Sequence, residues 1–357
     1  MTFLVVAAFP QQPEELFRTA VEAQQRGDYT TAIRDYEALL KLQPNVISAR
    51  ANLAAALVHA RRFDEAITEY RSALQLEPGN AAIRMNLGLA FYKKGDWLNA
   101  ASEFEQLHKG TPNDARIATL LGECELKLGR ADETARLTVA LSEAQPQNLD
   151  LAFVAGSALI RTGKRRDGLV LIERVAKEQN SADAYLLAGS TWLDLNENES
   201  ARRDLEMAAK LNPGLPDVYT LLGTAMDRGG DANAAEPEFR RALDLNPDDF
   251  QANLNLGAIL YKRRDLASAR TYLEHALKLE PSSPLARYEF AEVESASGQL
   301  EAAVADLQNA SKQDPNWLEP HVQLAALYYK LHRLAEGAKE RETVDKLTAE
   351  QQKRGPQ

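Results

Sequence analysis

Proline recurs in this chain at a fixed interval. Pro44, Pro78, Pro112 and Pro146 stand 34 residues apart, and Pro213, Pro247, Pro281 and Pro315 resume the same step. The gap between Pro146 and Pro213 is 67 residues, one short of two steps, and Asn180 occupies the place of the absent proline. A period this long is the mark of stacked supersecondary modules rather than of separate globules. It displaces the two domains that 357 residues would otherwise suggest. Numbering each repeat 1–34 from Pro13 places the repeats near 13, 47, 81, 115, 149, 182, 216, 250, 284 and 318. The array then covers 13–347, after an arm at 1–12 and before a short end at 348–357.

Several columns keep this register. Position 8 is Ala or Gly throughout, from Ala20, Ala54 and Gly88 to Ala291 and Ala325. Position 20 is equally small, from Ala32, Ala66 and Ala100 to Ala303 and Gly337, with Thr134 as its largest member. Position 24 is bulky in most repeats: Tyr36, Tyr70, Phe104, Ile172, Leu205, Phe239, Leu273 and Leu307. Two helices approach closely only where side chains are short, so the small columns predict a tight contact and the bulky column the group that fills it. Within the third repeat, Leu87, Ala90, Phe91 and Lys94 follow helical spacing until Gly95-Asp96 breaks it. A second helix is expected from about Leu98 to Lys109, ended before Pro112 because proline disfavours helix at the residue before it. A hairpin of this size cannot bury both of its faces, so neighbours must stack.

The pattern resembles the tetratricopeptide repeat family. The third repeat carries the match through Asn86-Leu87-Gly88, Phe91, Gly95-Asp96-Trp97, Ala100, Phe104 and Pro112. The eighth carries it through Asn255-Leu256-Gly257, Tyr261, Ala269 and Pro281. The resemblance implies an all-α fold, an α-α superhelix of about ten helix-turn-helix repeats. Weak repeats stand out: the fifth has Gly168 and no proline, so irregularity is expected near 163–181, and the ninth has Glu294 where a bulky apolar residue belongs. The last repeat puts Arg341 in the bulky column and turns charged after Lys339, as an array end requires. A capping helix is expected over 335–354, with Gly355, Pro356 and Gln357 fraying.

Composition narrows the function classes. A net charge of −10 argues against a broad electrostatic footprint for nucleic acid. No apolar run approaches the ~20 residues of a membrane span. The lone Cys124 cannot form an intrachain disulfide or a multi-cysteine metal site. Residues 2–9 are the most apolar stretch but follow no basic segment. They read either as an arm packing on the first helices or as the remnant of an export signal, which leaves localisation open between cytoplasm and envelope. Catalytic motifs are absent. Between Gly156 and Gly163-Lys164 lie six residues where a phosphate-binding loop has four, and Arg165 follows in place of Ser or Thr. The five histidines are scattered and the carboxylates have surface spacing. No cofactor, no metal and no enzymatic activity are expected.

Function then falls to surfaces. In the resembled family the first helix of every repeat lines the concave side, at positions 2, 5, 6, 9, 12 and 13, and takes an extended peptide or a partner's helix. Asn52, Asn86 and Asn255 occupy position 6, where family relatives use an amide to grip the partner's backbone. An amide suits that role because it offers donor and acceptor together. Tyr92-Lys93, Tyr261-Lys262 and Tyr329-Lys330 recur at positions 12 and 13 and could supply stacking and cationic contacts, or could simply be solvated helix ends. The family's carboxylate clamp is not formed, since Phe17, Val21 and Ala82 stand at three of its places, although Asn52 matches its middle element. Leu120, Phe153, Val154, Leu186, Leu187 and Leu221 give the central repeats a run of apolar groups at positions 5 and 6, which either forms a greasy strip or packs between helices. The reading is a non-enzymatic scaffold with a protein or peptide partner, oligomeric state open. Its rivals are an exported envelope assembly or secretion factor and the recruiting subunit of a separately encoded transferase.

Overall fold

The structure, a computed structural model, describes residues 12–354. The apolar arm at 2–9 and the tail from Gly355 lie outside the described residues, as do the readings made of them. Among the described residues there are twenty helices and no strand. They divide into two compact halves, one ending at Gln179 and the other beginning at Asn180. The first half holds α1 (Pro13–Gln25), α2 (Tyr29–Leu42), α3 (Ile47–His59), α4 (Phe63–Leu76), α5 (Ala81–Lys94), α6 (Trp97–Gly110), α7 (Ala115–Lys127), α8 (Ala131–Ala144), α9 (Leu149–Arg161) and α10 (Arg165–Gln179). The second holds α11 (Ala182–Asp194), α12 (Asn198–Leu211), α13 (Val218–Arg228), α14 (Ala232–Leu245), α15 (Phe250–Lys262), α16 (Leu266–Leu279), α17 (Pro284–Ala296), α18 (Leu300–Gln313), α19 (Leu318–Lys330) and α20 (Leu334–Arg354). Each repeat is one hairpin of an odd and an even helix.

The corner inside the hairpin is the same in all ten repeats. Position 15 is left-handed every time, at Gly27, Arg61, Gly95, Gly129, Gly163, Asn196, Gly230, Arg264, Gly298 and His332, with φ between +58° and +88°. Glycine adopts this conformation without steric cost, whereas Arg61, Arg264 and His332 hold it against their own Cβ. An Asp follows several of these corners and caps the second helix: Asp28 accepts from Thr31 N, Asp96 from Asn99 N, Asp231 from Ala234 N and Asp265 from Ser268 N.

The small columns meet the bulky one as expected. A Cβ added at Gly88 would lie 2.6 Å from Phe104 Cε1, at Gly189 2.5 Å from Leu205 Cγ, at Gly223 2.8 Å from Phe239 Cε1 and at Gly257 2.6 Å from Leu273 Cγ. Phe104, Leu205, Phe239 and Leu273 are fully buried, so these contacts form the centre of each hairpin.

A second recurrent device carries no signal in apolar patterning. In four repeats the side chain at position 4 of the first helix reaches back to the proline carbonyl of the preceding turn and across to the carboxylate at position 23 of its own second helix. Arg50 donates to Pro44 O at 2.9 Å and Glu69 Oε2 at 2.5 Å. Arg84 donates to Pro78 O at 3.0 Å and Glu103 at 2.8 Å, and Arg287 to Pro281 O at 2.7 Å and Asp306 at 2.6 Å. In the tenth repeat His321 faces Pro315 O and Glu340 through its two ring nitrogens. In the eighth, Asn253 keeps the bond to Pro247 O. The strut satisfies a turn carbonyl that no helix can use and ties three segments together.

Near 163–181 the expected irregularity takes a specific form. The helix α10 is continuous for 15 residues, and Asn180 turns left-handed at φ 47° immediately after it. Ser181 then caps α11, so two residues join α10 to α11 where four join α2 to α3. Asn tolerates the left-handed region better than most residues, which is how the turn closes without its proline. The capping helix is observed as α20, 21 residues long and mostly exposed.

Candidate functional site

Within each half, successive first helices touch one another: α1 meets α3, α3 meets α5 and α7 meets α9, then α11 meets α13, α13 meets α15 and α15 meets α17. No pair of successive second helices is in comparable contact among the described residues. The first helices therefore form the inner layer of each half. Side chains at positions 6, 9 and 12 bridge them. The Tyr92 hydroxyl donates to Glu123 Oε2 at 2.7 Å, and Tyr261 repeats the bond to Glu292 Oε2 at 2.9 Å. Asn255 Nδ2 donates to Thr224 Oγ1 at 3.4 Å, and Asn255 Oδ1 accepts from Gln251 at 2.8 Å.

These bonds define what each expected partner-binding residue is already doing. Burial, and then the neighbouring carboxylate, push the Tyr92 phenol well up and the Tyr261 phenol up to about 12, so both remain neutral donors. Tyr92 also meets Trp97 edge-on at 5.1 Å. The Tyr329 ring covers Gly337 of α20, and Tyr329 is 39% exposed. Lys93, Lys262 and Lys330 are exposed at the ends of their helices. Asn86 is exposed on α5, whereas Asn52 is half-buried and bonds the Tyr36 hydroxyl, which itself donates to Gln24. In the second half, Lys262 lies beside Glu289. Burial raises the Glu289 carboxyl, Lys262 opposes that shift, and Glu292 and Asp227 reinforce it. The structure thus gathers Tyr261 and Lys262 into one polar surface with Glu289 and Glu292.

The apolar run at positions 5 and 6 is partly core. Val154 is 2% exposed, and its Cγ1 would lie 2.7 Å from a Cβ on Gly122, so it packs between α7 and α9. Leu120 and Phe153 in the first half, and Leu186, Leu187 and Leu221 in the second, are half-buried. Glu123, Glu292 and Thr224 were not singled out from sequence. The available signal was a Tyr at position 12 followed 31 residues later by Glu, which occurs twice.

Cys124 is fully buried, and burial with Glu123 and Glu125 pushes its thiol up to about 12. Among the described residues no cluster of His, Cys, Asp and Glu could hold a metal ion, and no helix is long and apolar enough to cross a membrane.

Sequence profiles for one kind of repeat match the chain. A profile described as TPR repeat matches residues 62–95. Two described as tetratricopeptide repeat match 85–148 and 220–284, and 23–70 and 260–322. No curated protein sequence matches the chain. Among solved structures, a tetratricopeptide repeat protein from Parabacteroides merdae aligns with a TM-score of 0.53 at 16% identity, covering 70% of this chain and 98% of that one. MamA from Desulfovibrio magneticus RS-1 aligns at 0.44 and 25% identity over 48% of this chain and 96% of its own. YrrB, described as a TPR protein with an unusual peptide-binding site, aligns at 0.44 and 20% identity over 51% and 94%. Matched profiles in both halves, joined to hairpins that share one left-handed corner and one small-to-bulky contact, place this chain in the tetratricopeptide repeat family.

Proposed function

We propose that this chain is a non-enzymatic scaffold that binds a protein or an extended peptide along the inner layer of first helices. Family membership supports the coarser part, a protein-interaction scaffold. The observation that supports the finer part is that these helices carry both hydrogen-bonding side chains, the exposed amide of Asn86 among them, and half-buried apolar groups such as Leu120 and Phe153. An exposed amide on the next first helix after that of Asn52 offers donor and acceptor to a passing backbone whatever its side chains are. Lys93 at the rim adds a cation for a partner's carboxylates. In vivo crosslinking pull-down from native cells supplies the partner, and the double variant Asn52→Ala, Asn86→Ala then tests the face. The expected result is partner capture reduced about tenfold, the effect of losing ~1.4 kcal/mol, at unchanged helicity. Equal capture by the double variant would remove these two amides from the site.

A further inference from the structure

Position 11 of the first helix is a core column. Leu57, Phe91, Leu159, Met226, Leu260 and Tyr328 fill it and are buried. In the fourth repeat Glu125 is half-buried there and bonds Arg130 at 3.1 Å. In the ninth repeat Glu294 holds the same place on α17, is only 6% exposed, and leaves its Oε2 buried with no hydrogen-bond partner. A carboxylate without a partner in such a place is costly, while a neutral carboxyl is much less so.

The charged groups that act on Glu294 come from α16 and α18. Asp306 of α18 acts most strongly, through its charge and, once Glu294 is protonated, as the acceptor of that proton's hydrogen bond; it also receives Arg287 of α17 at 2.6 Å. Arg270 of α16 acts less than the Asp306 charge and in the opposite direction, and Glu274 of α16 adds a smaller push upward. Arg270 is committed elsewhere: it donates to Gln299 Oε1 at 2.7 Å, pairs with Glu274 at 3.4 Å and lies over the Phe290 ring at 5.2 Å. Of the charges that act on Glu294, the strongest is therefore another carboxylate, and the one cation among them, Arg270, is shared with Gln299 and Glu274.

We propose that Glu294 is a proton-operated latch on the α17–α18 hairpin, closed while its carboxyl is neutral and donates to Asp306, and loosened when that carboxyl ionises. Burial, followed by Asp306, pushes Glu294 up to about 7, within the range a cell can cross. The folded state binds this proton more tightly than the unfolded chain does. The hairpin is therefore firmest below the ordinary carboxylate value, loses protection as pH rises toward about 7, and settles to a constant lower level above it. The same helix α17 carries Tyr288, Glu289 and Glu292, so loosening it also relaxes the inner layer of the second half. The latch is a property of the hairpin and does not depend on what that layer binds.

Amide hydrogen exchange on the full chain, corrected for intrinsic rates, tests this between pH 4.5 and 8.5. The expected result is a fall in α17–α18 protection on the order of 100-fold, with α5–α6 as the internal reference. Glu294→Gln keeps the shape and the hydrogen bond to Asp306 without a titrating proton, and should hold α17–α18 protection constant relative to α5–α6. Carbon-13 observation of the Glu294 carboxyl in the wild-type chain should place its midpoint within about one unit of 7. A flat wild-type profile, a slope retained in Glu294→Gln, or a carboxyl midpoint near 4.5 would each overturn the latch.

Discussion

Gly88→Ala places one methyl group where the hairpin is tightest. The new Cβ would meet Phe104 at 2.6 Å from Cε1 and 3.0 Å from both Cδ1 and Cζ. Carbon atoms rest at about 3.5–4.0 Å, so the ring must retreat by about 1 Å. It has nowhere to go, because Phe104 is fully buried. Overpacking of this kind costs ~1–3 kcal/mol. Against it stands the helix propensity gained on replacing glycine within α5, about 1 kcal/mol. The net expectation is a loss of ~0–2 kcal/mol, opposite in sign to what propensity alone would give. Gly110→Ala, in the last turn of α6 with nothing within 4 Å of its Cβ, isolates the propensity gain and should be neutral or stabilising by a few tenths of a kcal/mol. Adding Phe104→Leu to Gly88→Ala should recover part of the loss, giving a favourable coupling. Urea melts followed by far-UV circular dichroism give the ranking, and hydrogen exchange localises the loss to α5–α6. The second readout matters because repeat arrays need not unfold in one step. If Gly88→Ala stabilises as much as Gly110→Ala, the small-to-bulky contact is not what holds the hairpin.

Arg61→Gly should raise stability by ~0.5–1 kcal/mol, because it releases a left-handed residue at φ 60° in a corner where six other repeats use glycine. An unchanged or lowered melting temperature would mean that Arg61 contributes contacts that outweigh the relief. Cys124 should resist alkylation in the native chain at pH 8 and react fully in urea, since its buried thiol is held up to about 12. Rapid native labelling would contradict the burial of α7 in its half.

The features legible in sequence were those that recur with one residue type. Column 8 against column 24 could be inferred from Gly88 and Phe104 because smallness and bulk are preserved across repeats. The corner at position 15 was legible at Gly95-Asp96 but not at Arg61 or His332, where the fold imposes a left-handed backbone on residues that do not advertise it. The position 4 to position 23 strut escaped because its members differ, Arg50 with Glu69 but His321 with Glu340, and because its third partner is a backbone carbonyl. Of the surface residues, Tyr92 and Tyr261 were found by their column, yet the role of their hydroxyls depends on Glu123 and Glu292 in the next repeat. Such a pair is visible only as a 31-residue offset, and a single chain gives it two occurrences. Whether Val154 packed or was presented depended on Gly122 lying opposite it on α7, which depends on helix placement rather than on composition.

The proposed partner face is the first-helix layer rather than the outer surface of the second helices. A photo-crosslinking amino acid introduced in cells at Asn86 on α5, and separately at the exposed Leu98 on α6, tests it directly. One discrete crosslinked product is expected from position 86 and none of that mass from position 98. The same product from position 98, with nothing from position 86, would contradict it.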